Sequence, residues 1–403
     1  MRGKRSDREP LHLFYEERGQ YMKKEIYLDH AATTRMWPQV QAVMEPYLAE
    51  HYGNASTAYD LGEDAKKAME NARGTIAQCL EAEPEEIFFT SGGSESDNWA
   101  IKSIAGEKKF MGNHIITSAI EHHAVLHSCR YLESLGYDVT YLGVEGDGLV
   151  SLSELRDAIT QKTTLITIMY GNNEIGTIEP IMDIGLLARK NGVIFHTDAV
   201  QAVGQVPLSL HRLPVDALSA SAHKFHGPKG IGFLYVKKDL DIPSFIHGGA
   251  QERGKRAGTE NVASIVGMAK ALELSTRSMA FTMRRVTALR DYFVKRVMGE
   301  CERVTYNGHP SKRLPGNASF SFAGVDATAL LVLLEEDGIC AAAGSACNTG
   351  ESRLSHVIRA IHVPKDRAAG TIRFTFGEEN TKEEADRAVE VLKEDLKLLR
   401  GIE

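Results

Sequence analysis

The sequence predicts an α/β fold, a mostly parallel sheet with helices on both faces, joined to a smaller α+β unit. Three observations predict it. Short apolar runs alternate with helical patterns from about residue 84 to 236, the pattern of a parallel sheet covered on both sides. One long helical stretch, 262–300, comes next and is placed to bridge two units. Beyond it, two alternating strands and two amphipathic helices remain, enough for a small α+β unit.

Taken in order, EEIFFT (85–90) reads as a strand and SESDNWAIKSIA (94–105) as a helix. HIITSA (114–119) is a strand and HAVLHSCRYLESLG a helix. TLITIMY (164–170), GVIFHTD (192–198), DALSASA (216–222) and GIGFLYV (230–236) are further apolar runs of strand length. After the long helix, GNASFSFAG (316–324) and GTIRFTFG (370–377) alternate as strands. ATALLVLLEEDG (327–338) and TKEEADRAVEVLKEDLKLLRG (381–401) carry helical periodicity.

The chain has 403 residues, 43% hydrophobic and 25% charged, with a formal net charge of −7. That composition suits a folded chain with a sizeable core. The acidic balance argues against a nucleic-acid binder, whose footprint is basic. Five cysteines stand at 79, 129, 301, 340 and 347, with none spaced C-x-x-C. An odd number without that spacing argues against a disulfide framework or a zinc knuckle, and for a reducing compartment. Cys79, Cys129 and Cys301 lie in or beside helical stretches and read as small core hydrophobes. The first residues, MRGKRSDREPLHLFYEERGQYM, mix both charge signs without an apolar run. They do not read as a signal peptide, and no segment offers 18 uninterrupted apolar residues, so a cytoplasmic location is expected. Residues 1–21 read as poorly structured, and Met22 as a possible start.

In open α/β sheets, ligands sit beyond the carboxyl ends of the strands. Five consecutive strand ends here carry polar residues: Ser91-Gly92-Gly93-Ser94-Glu95, Ile120-Glu121-His122-His123, Gly171-Asn172-Asn173-Glu174, Asp198 with Gln201, and His223-Lys224. Five on one edge point to a single site. The glycine-rich run at a helix start is either a plain N-cap loop or a phosphate cradle. It is no dinucleotide fingerprint, because G-x-G-x-x-G is absent. Asp198 follows a strand that reads as buried and then needs a partner, either a structural arginine or a protonated ring nitrogen. Lys224 is either a solvated surface charge or an amine of lowered pKa able to form a Schiff base. His122 is either a hydrogen-bonded core histidine or a proton shuttle over a cofactor ring. A phosphate site, a Schiff-base lysine and a carboxylate for a pyridinium nitrogen together describe pyridoxal 5′-phosphate binding.

At this point the motifs become specific. YLDHAATT, GNAS, TSGGSESDN, EHHAVL, NNEIG, DAVQAVG, SAHKFHGPKG, RAGTEN, LPGNASFSF, GSACNTG and IRFTFG occur in this order. The chain resembles the cysteine desulfurases, fold-type I pyridoxal-phosphate enzymes of the class-V aminotransferase group, from about Ile26 to Glu394. The resemblance implies a large unit over 34–280 with a mostly parallel seven-stranded sheet. It also implies a small unit made of 22–33 and 281–403, after the 1–21 extension. It implies roles position by position. Lys224 would hold the cofactor, Asp198 its ring nitrogen and Gln201 its ring hydroxyl. Gly93, Ser94, Ser221 and His223 would bind its phosphate. Thr259 of RAGTEN would complete that phosphate site from a second subunit, which would make the protein a homodimer. His122 would lie over the ring and move protons. Asn173 would contact ring or substrate, and Arg373 would clamp the substrate carboxylate.

Cys347 would be the nucleophile that takes sulfur from L-cysteine as a persulfide, releasing L-alanine. The sulfur would then pass to acceptor proteins such as iron–sulfur scaffolds or tRNA-thiolation enzymes. Residues 338–350, GICAAAGSACNTG, surround Cys347 with glycine and alanine. Small side chains bury little, and the expectation is a segment that swings between cofactor and acceptor. Ser94 stands where many members have threonine, and Tyr59 where many have histidine. Asn-Thr-Gly follows Cys347 in place of the commoner serines. Cys340 is either inert or half of a regulatory disulfide, and inert is favoured. The alternatives are a selenocysteine lyase or another lyase with the same cofactor, an aminotransferase, and an assembly scaffold without catalysis. A sulfur-accepting thiol would be superfluous in the first two. Intact Lys224, Asp198, His122 and Cys347 argue against the third.

Overall fold

The computed structural model describes residues 25–344 and 354–401. After a short first strand, β1 (Ile26–Tyr27), seven strands form the large sheet: β2 (Ile87–Thr90), β3 (His114–Ser118), β4 (Asp138–Leu142), β5 (Thr163–Thr167), β6 (Ile194–Asp198), β7 (Ala217–Ser221) and β8 (Gly232–Val236). Their spatial order is β2-β8-β7-β6-β5-β3-β4. Only β8 runs against the rest, antiparallel to both neighbours. The predicted fold class is therefore the observed one.

The pleat explains why these runs are apolar throughout. Successive side chains leave a strand on opposite faces, and here each face meets a core. Ile87, Phe89, Ile116, Ile166, Leu218 and Phe233 enter one core, together with Met69 and Ile76 of the Asp60–Leu80 helix. Their sequence neighbours Phe88, Ile115, Leu165, Ala217 and Leu234 enter the other. There they meet Trp99 and Ile104 of the Gly93–Glu107 helix and Val125 and Cys129 of the His123–Ser134 helix. A sheet buried on both faces shows no polar alternation. The half-exposed edge strand β4, sequence DVTYL, is one element the sequence did not announce.

The Val262–Glu300 helix is 39 residues long, about 58 Å at 1.5 Å per residue. Ile265, Met268 and Leu272 belong to the large core. Val286, Phe293 and Val297 belong to a second core with Phe320, Phe374 and Phe376. Phe293 meets the rings of Phe374 and Phe376 edge-on, at 5.2 and 5.1 Å between centroids. Over that core lie β9 (Val304–Asn307) and β10 (Asn317–Phe322), then β11 (Ile339–Cys340), β12 (Ala342–Ala343) and β13 (Thr371–Thr375). Four of these make an antiparallel sheet in the order β12-β13-β10-β9, while β11 pairs in parallel with β1. The closing helix, Lys382–Arg400, starts at a capping box between Thr381 and Glu384. Among the described residues no helix is long and apolar enough to cross a membrane. The expectations for residues 1–21 and for the swing of the Cys347 segment lie outside the described residues.

Candidate active site

A cavity of about 590 Å³ opens at the carboxyl ends of the large sheet, and Arg373 of β13 reaches it from the small sheet. Gly93, Ser94, His122, Asn173, Asp198, Gln201, Ser221, His223, Lys224 and Arg373 all line it. Thr259 does not. It is exposed on its own chain and absent from this cavity wall. Cys347 lies outside the described residues.

The reversal from β7 to β8 puts Lys224 in place. A short 3-10 turn, Ala222–Lys224, leaves the end of β7, and the Ala222 amide donates to Ile231 O at 3.1 Å as the chain returns. Lys224 Nζ donates to Ala31 O at 2.6 Å and Ala32 O at 2.7 Å. Burial, and next the Arg373 guanidinium, lower its pKa to about 8, against the raising pull of Asp29 and Asp198. His223 is held by Thr33, 3.1 Å from Nδ1 to Oγ1. Burial and then Lys224 lower its pKa to about 4, so it is neutral at pH 7.

The start of the Gly93–Glu107 helix has no side-chain cap, so its first amides are open. Gly92 has φ +146, and a Cβ on Gly93 would stand 2.5 Å from Val200 Cγ2. Only glycines fit this turn, which lets an anion approach the backbone. Glu95 fixes the loop from behind. It accepts from the Ser91 amide at 2.8 Å and from Arg256 Nε at 2.9 Å.

Asp198 ends β6 and is buried. One carboxylate oxygen accepts from the Val200 amide at 2.9 Å. Burial raises its pKa, and His122, that hydrogen bond and Lys224 oppose the rise. His122 caps the His123–Ser134 helix. Its Nδ1 accepts from the Ala124 amide at 3.2 Å, which leaves Nε2 as the proton-bearing nitrogen of the neutral ring. A ring nitrogen of His122 and carboxylate oxygens of Asp198 and Asp97 lie within 4.8 Å of one another. Gln201 Nε2 donates to Ala31 O at 3.0 Å, the same carbonyl that Lys224 uses.

Arg373 is already engaged. Its Nη2 pairs with Asp29 Oδ1 at 2.6 Å and its Nη1 donates to Asn173 O at 3.0 Å. Asp29 lies in YLDHAATT, but its pairing was not read from the sequence. Two other residues were also missed. Asp97 is buried in the first turns of its helix, and burial with Asp198 beside it pushes its pKa well up. His196 is buried beneath it, with Nδ1 2.8 Å from Thr167 Oγ1 and Nε2 3.0 Å from Ser219 Oγ. Burial lowers its pKa to about 3. A signal existed, since His196 precedes Asp198 by two on one strand and so shares its face.

The model of the family described as aminotransferase class-V matches residues 26–388. The cysteine desulfurase IscS of Dictyoglomus turgidum is 48% identical over 381 residues, covering 94% of this chain and 97% of that protein. The protein of the same name from Methanosarcina thermophila is 48% identical over 379 residues, 94% of each. This chain belongs to the cysteine desulfurases of the class-V aminotransferase family. A solved NifS-like protein superposes on it with a TM-score of 0.88 at 38% identity, covering 93% of this chain and all of the other.

The site of this desulfurase fits pyridoxal 5′-phosphate, the family's cofactor. The open helix start with its glycines suits a phosphate, and the buried Asp198 carboxylate suits a pyridinium nitrogen. Lys224, depressed to about 8, suits an aldehyde. Asp198 is a buried acid whose neighbours only partly offset the effect of burial.

Proposed function

We propose that this cysteine desulfurase passes the sulfur of L-cysteine to Cys347 as a persulfide and then to an acceptor protein. The acceptor is an iron–sulfur scaffold or a tRNA-thiolation enzyme. The observation that carries the reading is convergence. Lys224, Asp198, Arg373 and the open helix start at Gly93 face one cavity from two sheets.

Pyridoxal phosphate, when bound, supplies an electron sink for the substrate carbon that bears the amino group. Lys224 would hold its aldehyde carbon, Asp198 its ring nitrogen and Gln201 its ring hydroxyl. Gly93, Ser94, Ser221 and His223 would hold its phosphate, with Thr259 contributed by a second copy of the chain. The exposure of Thr259 on its own chain supports that homodimeric arrangement. Arg373 binds the substrate carboxylate and gives up Asp29 as it does so, and Asn173 borders the same space. Lys224 Nζ, released once the substrate's amino group takes its place, would take the α-proton and later return it to the same carbon, and His122 Nε2 would carry a proton at the cavity wall. Cys347 Sγ then attacks the substrate sulfur. A sulfur–sulfur bond forms and the carbon–sulfur bond breaks, its electron pair staying on carbon. That carbon takes a proton, and the products are L-alanine and the Cys347 persulfide.

The test is to incubate the holoenzyme with L-cysteine and a thiol reductant, then measure alanine and sulfide. Wild type is expected to make both in equal amounts, and Cys347→Ser neither. Lys224→Ala is expected to lose about 10²–10⁴-fold in rate and its covalently held cofactor. Alanine production surviving in Cys347→Ser would sink the reading and point to a lyase of the selenocysteine-lyase type, which needs no acceptor thiol, whereas pyruvate in place of alanine would point to elimination.

A further inference from the structure

Glu174 follows Asn173 in the NNEIG turn, and the mechanism above does not use it. Its side chain is buried, with 4% of the residue exposed. A carboxylate at that depth is costly unless hydrogen-bonded. Burial raises its pKa, and the Ser355 hydrogen bond is the largest opposing influence. The main chain of Glu174 is fixed on both sides. Its amide donates to Asn172 Oδ1 at 2.8 Å, and its carbonyl accepts from Asn317 Nδ2 at 3.3 Å.

Two distant pieces of chain meet on one oxygen of this fixed group. Ser355 Oγ donates to Glu174 Oε2 at 2.5 Å. Gly344 packs against the same oxygen so closely that a Cβ there would stand 2.3 Å from it, and 3.4 Å from Ser355 Cβ. Gly344 follows β12, where Ala342 pairs with Arg373. Ser355 caps the His356–Ala360 helix, and His356 Nε2 lies 2.9 Å from Glu121 O, one residue before His122. Gly344 and Ser355 bracket Cys347 in the sequence. The three residue steps from Gly344 to Cys347 span at most about 11 Å.

We infer that Glu174 is a positioning residue for sulfur transfer. Its carboxylate joins Gly344 to Ser355 beside the cavity, and so fixes the two points between which the chain bearing Cys347 is strung. The inference rests on the role proposed above for Cys347. An attack geometry set from these two points is sensitive to them, because a misplacement of about 1 Å costs about a hundredfold in rate.

The experiment follows formation of the Cys347 persulfide in a single turnover, by mass, in the holoenzyme mixed with L-cysteine. Glu174→Ala is expected to slow it about 10- to 100-fold, with the KM for cysteine and the absorbance of the bound cofactor unchanged. Glu174→Gln keeps an oxygen that accepts from Ser355 and is expected to restore most of the rate. Gly344→Ala drives a methyl into Oε2 and is expected to be slow. The double variant Gly344→Ala/Glu174→Ala is expected to be faster than Gly344→Ala, since the methyl then enters vacated space. That coupling is one a general loss of stability would not produce. Wild-type rates in Glu174→Ala, or purely additive losses in the double variant, overturn the inference. Hydrogen exchange separates this failure from that of the sulfur reading. The clamp requires faster exchange at the amides of Val357 and Ile358, which donate to Ser355 Oγ, in Glu174→Ala whether or not sulfur moves. Unchanged exchange overturns the clamp, whereas a wild type that forms no persulfide overturns only the assignment of Cys347.

Discussion

Lys224 and Arg373 face the same cavity from walls built in different ways. On the large-sheet wall, the cation is held by backbone. Lys224 donates to Ala31 O and Ala32 O, and Gln201 braces the first of these carbonyls. On the small-sheet wall, Arg373 comes from a strand interior and is held by a side-chain carboxylate, Asp29. The difference suits the two tasks proposed for these groups. A group that must shed its charge to react is best held by neutral carbonyls in a buried place, where desolvation lowers its pKa. A group that must stay charged and receive a carboxylate is best held by a carboxylate. On the proposed role of Arg373, an incoming substrate exchanges one anion for another, and the guanidinium is never left buried without a counter-charge.

The largest effect that tests this comparison is removal of the exchanging cation. Arg373→Ala is expected to raise the KM for L-cysteine about 10- to 150-fold, the value of a charged hydrogen-bonded contact of about 1.5–3 kcal/mol. Arg373→Lys is expected to recover only part of it, since a point charge cannot make the paired contact. The cofactor's absorbance should be retained in both. Steady-state kinetics with a spectrum of each variant decides it. A KM unchanged in Arg373→Ala would mean that Asp29, and not substrate, is the true partner of this arginine.

The two walls also differ in how far the sequence revealed them. Groups such as Asp198, His122 and Lys224 were legible because each directly follows an apolar run, and the ends of parallel strands share one edge. The Val262–Glu300 helix was legible from its periodicity. The Arg373–Asp29 pair was not, because its partners are 344 residues apart and one lies in a short turn with no pattern of its own. Glu174 stood at one of the strand ends, but its contacts were hidden for a similar reason. A glutamate in a turn normally faces water, and only the meeting of Gly344 and Ser355 makes this one a buried acceptor. Asp97 sits on a helix whose sequence shows only that it is polar at that position. Its burial follows from the helix packing against β7 and β6.

A smaller effect sharpens the link between the walls. Only the neutral amine of Lys224 captures an aldehyde. The rate at which cofactor-free protein takes up pyridoxal phosphate should therefore rise with pH and level off above about 8. Asp29 stabilises the charged ammonium, and Arg373 opposes it. In Asp29→Asn the ammonium loses a negative neighbour while Arg373 stays, so the lysine pKa falls and the limb moves to lower pH. Stopped-flow uptake over pH 6–10 measures the shift, and a limb that moves up or stays fixed would break the proposed coupling.

The smallest expected effect concerns Cys340, seven residues before Cys347. Cys340 pairs with Tyr27 through β11 and β1, and its carbonyl accepts from the Leu28 amide at 2.9 Å. Its thiol is half-buried and in no disulfide among the described residues. Burial and then the nearby Glu25, Glu335 and Asp29 raise its pKa, so it carries less thiolate than an ordinary cysteine at neutral pH. The backbone of residue 340 supports the strand pair, and the proposed chemistry gives its sulfur no part. Cys340→Ser should therefore keep alanine production within about twofold of wild type and cost less than about 1 kcal/mol in stability. Since Cys347→Ser is expected to stop the same assay, the pair of variants asks whether position or mere presence of a thiol matters. A loss in Cys340→Ser comparable to that in Cys347→Ser would mean that sulfur travels through both.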